Sequence, residues 1–140
     1  MLATNATLYP GDTALVGLTP GKKLRKEINW AQFDEMVNRF ANALSERGVG
    51  KGDKVLHLMR NSINWLVAYF GIIRTGAWAV PLNFRFTSRD IKYCADIAEA
   101  KIMILEEEFI SRVKAIRTKL TTIREYIFAG DNRPEDMTGF

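Results

Sequence analysis

At 140 residues, 47% of them hydrophobic and 26% charged, the chain has the size and make-up of one globular domain, able to bury roughly 70% of its unfolded surface. Its longest apolar stretch is cut by Asn64 and Arg74, short of the ~20 residues a membrane helix needs, and MLATNATLYPGD has no signal-peptide pattern, so the expectation is a cytoplasmic protein without a membrane span. The net charge of +4 is spread along the chain, with no interleaving of aromatic and basic residues to form a base-stacking platform, which argues against a nucleic-acid partner.

Taken in order, Thr13 to Thr19 and Leu24 to Asn29 read as two strands of an N-terminal hairpin joined through Pro20-Gly21, where proline presets φ and glycine takes the positive φ that follows. Lys22, Lys23, Arg25 and Lys26, the only tight basic cluster, flank this turn as a solvated tip. Asn29 caps the next helix and Gln32 completes a capping box. Phe33, Val37, Phe40, Ala41 and Leu44 share one face of that helix. Gly48 stops it.

Val55 to Met59 and Ala77 to Leu82 are short, nearly continuous apolar runs, which is the habit of parallel strands covered on both faces. Ile63 to Ile73 between them is apolar on almost every side, predicting a crossover helix buried between layers and ended by Gly76. Thr87 with Asp90 marks a further helix start, with Ile91, Cys94, Ala95 and Ala98 on one face. Lys101 to Leu105 is a strand. Phe109, Val113, Ile116 and Leu120 recur at helical spacing, Tyr126 to Ala129 is a strand, and Gly130 to Phe140 is polar and reads as a loop. The fold class is α/β: a doubly wound, mainly parallel sheet with flanking helices plus an N-terminal β-hairpin.

Such sheets bind ligands beyond the carboxyl ends of their strands. Here those ends are Arg60-Asn61-Ser62, Asn83-Phe84-Arg85-Phe86, Glu106-Glu107-Glu108 and Gly130-Asp131-Asn132, none of them a glycine-rich phosphate cradle. Gly48, Gly50 and Gly52 follow a helix and precede a strand, the reverse of the order that aims a helix N-terminus at phosphate, so they read as a loop. His57, with no second histidine or nearby cysteine, reads as a satisfied interior histidine rather than a metal ligand or base. Cys94, the only cysteine, lies on an apolar helix face where burial raises a thiol pKa, and it reads as core. The acidic run Glu106 to Glu108 suits the start of a helix. Arg85, between two phenylalanines, could meet an anion, although packing over aromatic rings or pairing with a carboxylate explains it as well.

Several spaced segments carry a family resemblance. Met59, Asn61 and Ser62, Gly71, Gly76-Ala77 and Pro81-Leu82-Asn83, preceded by Phe33-Asp34-Glu35, Asn38-Arg39-Phe40-Ala41, Leu44, Gly48-Val49 and Lys51-Gly52-Asp53-Lys54-Val55, resemble the early part of the AMP-forming acyl-CoA synthetases. The resemblance covers roughly residues 13 to 129, and Arg60 departs from it where the family often has proline. It implies a complete enzyme that joins a carboxylic acid to AMP, using ATP and Mg and releasing pyrophosphate, and then passes the acyl group to coenzyme A. The family's phosphate-binding loop, its Tyr-Gly-x-Thr-Glu-like segment, its ribose-holding residues and its lid lysine have no counterpart here. The resemblance therefore implies an N-terminal fragment, with no catalytic, cofactor-binding or metal residue carried over and no activity of its own. ATP, Mg and coenzyme A are expected only for the full-length enzyme.

The expected layout is an N-terminal subdomain over 1–130, with hairpin and helix at 13–48 and an α/β layer at 53–129, followed by a polar tail or linker at 130–140. The expected partner is the remainder of the ligase chain, with a homodimer through exposed apolar Leu15, Val16 and Leu18 as a further possibility. A stand-alone α/β module that binds a small molecule or a protein is the alternative.

Overall fold

The computed structural model describes residues 1–19 and 24–140. The Pro20-Gly21 turn and the lysines beside it lie outside the described residues. Strands β1 (Thr13–Thr19) and β2 (Leu24–Asn29) form an antiparallel ribbon in which Leu15 faces Ile28 and Val16 faces Glu27. Leu15 is half-buried, whereas Val16 and Leu18 are exposed. Gly17 rests on Ile63: an added Cβ would come within 3.2 Å of its Cδ1.

Helix α2 (Trp30–Glu46) starts at the capping box read from the sequence, with Asn29 Oδ1 accepting from Gln32 N at 2.8 Å and Gln32 Oε1 accepting from Asn29 N at 3.0 Å. Its buried stripe is Phe33, Val37, Phe40, Ala41 and Leu44. Ahead of the ribbon lies helix α1 (Leu2–Leu8), which the sequence reading left out. It has no side-chain cap, and of its residues only Leu2 is buried.

The main sheet is parallel throughout. It comprises β3 (Lys54–Leu58), β4 (Trp78–Pro81), β5 (Ile102–Glu106), β6 (Glu125–Ala129) and β7 (Thr138–Gly139), in the spatial order β4-β3-β5-β6-β7. The chain first winds from β3 to β4 through α3 (Ile63–Arg74) and then returns past β3 through α4 (Ser88–Ala98) to β5. The winding direction thus reverses between β3 and β5, which makes their junction the topological switch point of the sheet.

Period-two alternation divides the sheet's side chains between two cores. Val55, Met59, Ile102, Ile104, Ile127 and Ala129 meet α2 and α3, while Leu56, Leu58, Met103, Leu105, Tyr126 and Phe128 meet α4 and the segment after β5. Helices α2 and α3 approach closely because residue 71 is glycine: a Cβ there would lie 2.7 Å from Phe40 Cδ1. Arg74 reinforces the pair through its bond to Asp34 at 2.9 Å and its contact with Asn38.

Three expectations change. Helix α3 is not buried all round, since Trp65, Leu66, Tyr69 and Phe70 are only half-buried and Ile73 is exposed. Its inner side meets the sheet and α2, and strand β1 lies against its start at Ile63. The stretch from Phe109 to Leu120 is a five-residue helix α5 (Ile110–Lys114) between 3₁₀ turns at Glu107–Phe109 and Arg117–Lys119, although its four apolar markers are all buried. The polar tail, read as a loop, ends in β7 and is pinned in place. Met137 is buried, Thr138 Oγ1 donates to Glu125 at 2.7 Å, Arg117 pairs with Asp136, and the Phe140 ring sits 4.4 Å from that of Phe40.

Candidate functional site

The carboxyl ends of β3, β4 and β5 converge at the switch point, and Arg60 joins them. Its backbone N–H donates to Glu106 Oε2 at 2.9 Å, and its guanidinium forks onto Glu108 with Nε to Oε1 at 2.5 Å and Nη2 to Oε2 at 2.9 Å. The same guanidinium lies 5.1 Å over the Phe84 ring of the loop after β4. That loop is held from the other side by Arg112, whose Nη1 donates to the carbonyls of Phe84 at 2.8 Å and Phe86 at 3.0 Å. Within it, Asn83 Oδ1 accepts from Arg85 N at 2.9 Å. It ends in the Thr87–Asp90 capping box that opens α4.

The electrostatics of the crevice are mixed. Burial pushes the Glu106 carboxyl above its usual range, the Arg60 N–H bond works against this, and neighbouring Glu108 adds to it by like-charge repulsion. Bonding to Glu108 raises the Arg60 guanidinium above its ordinary value. Both partners of the Arg60–Glu108 pair remain open to water, with side-chain exposures of 60% and 37%.

The candidates from the sequence fall in different places. Arg85 stands at the crevice, 5.4 Å over Phe84. Glu106 ends β5, and Glu107 and Glu108 open the 3₁₀ turn behind it. His57 is fully buried in β3, stacked 4.8 Å from Trp65, with Nε2 3.1 Å from Met59 Sδ and Nδ1 without a partner among the described residues. It is therefore not the satisfied histidine expected. With the ring proton on Nε2 the N–H faces the thioether and Nδ1 is a bare acceptor. Burial depresses the imidazole pKa to about 4. Cys94 is half-buried against the α4 core, with a thiol pKa raised by burial and then by Asp90. The Gly48, Gly50 and Gly52 loop lies between α2 and β3, at the opposite, amino end of the sheet, where Asp53 accepts from Gly50 N at 3.0 Å and Lys101 at 2.5 Å. Among the described residues no group of three His, Cys, Asp or Glu side chains is placed to hold a metal ion.

Sequence reasoning missed the Arg60 link to Glu106 and Glu108. The signal was present as opposite charges at two strand ends, but it becomes readable only once β3 and β5, which are not consecutive strands, are known to be neighbours.

The geometry at the switch point is a water-exposed ion-pair junction that links the ends of β3, β4 and β5. The family model described as AMP-binding enzyme matches residues 2–138. The chain is 36% identical over 109 residues to a 3-hydroxybenzoate–CoA/4-hydroxybenzoate–CoA ligase of Thauera aromatica, a match covering 78% of this chain and 21% of that protein. It is 32% identical over 111 residues to a medium/long-chain-fatty-acid–CoA/3-oxocholest-4-en-26-oate–CoA ligase of Mycobacterium marinum, covering 79% and 20%. Among solved structures, an anthranilate CoA ligase in complex with anthranoyl-AMP superposes with a TM-score of 0.89 at 28% identity, over 98% of this chain and 25% of that one. The chain spans about a fifth of the length of the curated relatives it matches. It belongs to the AMP-binding enzyme family and corresponds to the N-terminal part of its acyl-CoA ligases.

Proposed function

We propose that the chain is the N-terminal structural subdomain of an ATP-dependent, AMP-forming acyl-CoA ligase, which converts a carboxylic acid, ATP and coenzyme A to acyl-CoA, AMP and pyrophosphate. The observation that carries this reading is a family match running from residue 2 to residue 138 that spans only about a fifth of the relatives' length. Its own contribution is scaffold. None of the strand ends is a phosphate cradle, so ATP, Mg and coenzyme A would be held mainly by the rest of the enzyme. The subdomain takes in 1–130 together with the segment 130–140, which packs onto it through β7, and it is assigned to the cytoplasm, without a nucleic-acid partner.

The 140-residue chain by itself is expected to show no ATP–pyrophosphate exchange with hydroxybenzoates or fatty acids, because catalysis of this kind rests on groups that clamp the phosphates and the developing charge. Exchange above background in a contaminant-free preparation would overturn the scaffold role. The coding sequence beyond Phe140 in the native gene supplies the second test: a continuation lacking a lysine-ended phosphate loop and a C-terminal lid would remove the ligase reading.

Self-association belongs to the same proposal. Val16 at 43% and Leu18 at 70% exposure lie on the outer side of a ribbon whose edges are open, while Leu15 turns inward and drops out as a contact. Sedimentation across a concentration range checks it, with a mass that stays monomeric as the contrary result.

A further inference from the structure

We propose that Arg60 is an ion-pair latch across the switch point, closed on Glu108 and opened when a phosphate- or carboxylate-bearing ligand takes the place of Glu108 on the guanidinium. The latch deepens the ligase reading, on which it rests for the reason an anion would enter here. Three observations support it. First, Arg60, at the end of β3, touches the ends of both neighbouring strands: that of β5 at Glu106 through its backbone N–H and at Glu108 through a two-point fork, and that of β4 at Phe84 through its guanidinium plane at 5.1 Å. Second, the fork is the geometry that suits carboxylate and phosphate equally, so an incoming anion can replace Glu108 donor for donor. Third, the pair is exposed, at 60% and 37%, and ion pairs in water are weak, so replacing one is cheap.

The fixed part of the device is separate from the exchangeable part. Arg60 N–H to Glu106 and the 5.1 Å approach to Phe84 involve atoms other than the Glu108 carboxylate, and Arg112 keeps the Phe84 loop in place by bonding to its carbonyls. Releasing Glu108 therefore frees the guanidinium without dismantling the crevice. Glu108 is the middle residue of the short turn leading into α5, so its departure loosens that turn.

The test uses the 140-residue chain with inorganic pyrophosphate as the probe, at constant ionic strength, reading the thermal midpoint and backbone hydrogen exchange. Pyrophosphate should raise the midpoint of the wild type and speed exchange at residues 107–110. Glu108→Gln should bind the probe about fivefold more tightly, the factor matching one surface ion pair at the strong end of its range. Arg60→Gln should lose the response, and Arg25→Gln, remote on the ribbon, should keep it. Equal affinity in wild type and Glu108→Gln would show that Glu108 does not compete, and an unchanged response in Arg60→Gln would place the anion elsewhere. Either result ends the latch. Both are binding results on this chain, so they leave the ligase reading to be judged by pyrophosphate exchange and by the gene's continuation.

Discussion

The two faces of the parallel sheet solve the same problem with different materials. On one, two long helices, α2 and α3, are drawn together by Gly71 and tied by Arg74 to Asp34 and Asn38, and beneath them lies a buried imidazole with one nitrogen unpartnered. On the other, helix α4 and the broken α5 segment cover a layer that includes Phe109 and Phe128, both almost wholly inaccessible. Good helical cover therefore tolerates a polar defect beneath it, whereas poor helical cover depends on dense hydrocarbon packing. Secondary structure and core quality are traded against each other across a single sheet.

The largest test of this contrast is truncation on the poorly covered face. Phe109→Ala should cost ~3 to 5 kcal/mol, since the short helix cannot collapse to fill the space, while Trp65→Ala on the half-exposed flank of α3 should cost about half as much. Urea unfolding of the two variants measures both. A larger loss for Trp65 would reverse the assignment of which face depends on its side chains.

Acid titration probes the defect itself. His57 has a folded pKa of about 4 against 6.5 for the free side chain, so between those values the unfolded chain binds the extra proton. Stability is then fully present above pH 6.5 and falls as the pH drops toward 4, by about 3 kcal/mol if the whole shift is expressed. His57→Leu should flatten this window while changing stability little at neutral pH. Asp53 and Asp90, whose pKa values are lowered by their bonds to Lys101 and Thr87, act below pH 4, whereas Glu106, raised by burial, acts within the window with the opposite sign; the imidazole is therefore read from the difference between wild type and His57→Leu. A difference with no slope between pH 6.5 and 4 would mean that His57 finds a partner or water in solution.

A smaller effect is expected at the helix contact. Gly71→Ala places a methyl 2.7 Å from Phe40 Cδ1 and should cost ~1 to 3 kcal/mol through displacement of that ring. Neutrality, read by the same urea curves, would show that α2 and α3 have slack.

The features legible in the sequence were the local ones. Both capping boxes, at Asn29–Gln32 and Thr87–Asp90, declared themselves because their partners lie three residues apart. The buried strands were visible as apolar runs. Helix α1 was missed because its start has no capping side chain and only Leu2 is buried. Strand β7 was missed because it has two residues and is held by Glu125 and by the segment around Asp136, contacts that no local pattern encodes. The same limit hid the crevice: Arg85 and the glutamates could be singled out, but the Arg60 fork depends on β3 lying beside β5. The unpartnered nitrogen of His57 likewise depends on what surrounds it, not on its neighbours in sequence.

The stacking of Phe140 on Phe40 has a consequence for the order in which the chain folds. The ring that helps cover the groove of Met36, Phe40, Ala43 and Val67 comes from a residue far along the sequence, and its N–H bonds to the carbonyl of Phe128 at 2.9 Å. Bringing together two segments separated by so long a stretch of chain is slow. Until that contact forms, the apolar surface between α2 and α3 is open to chaperones or to another chain.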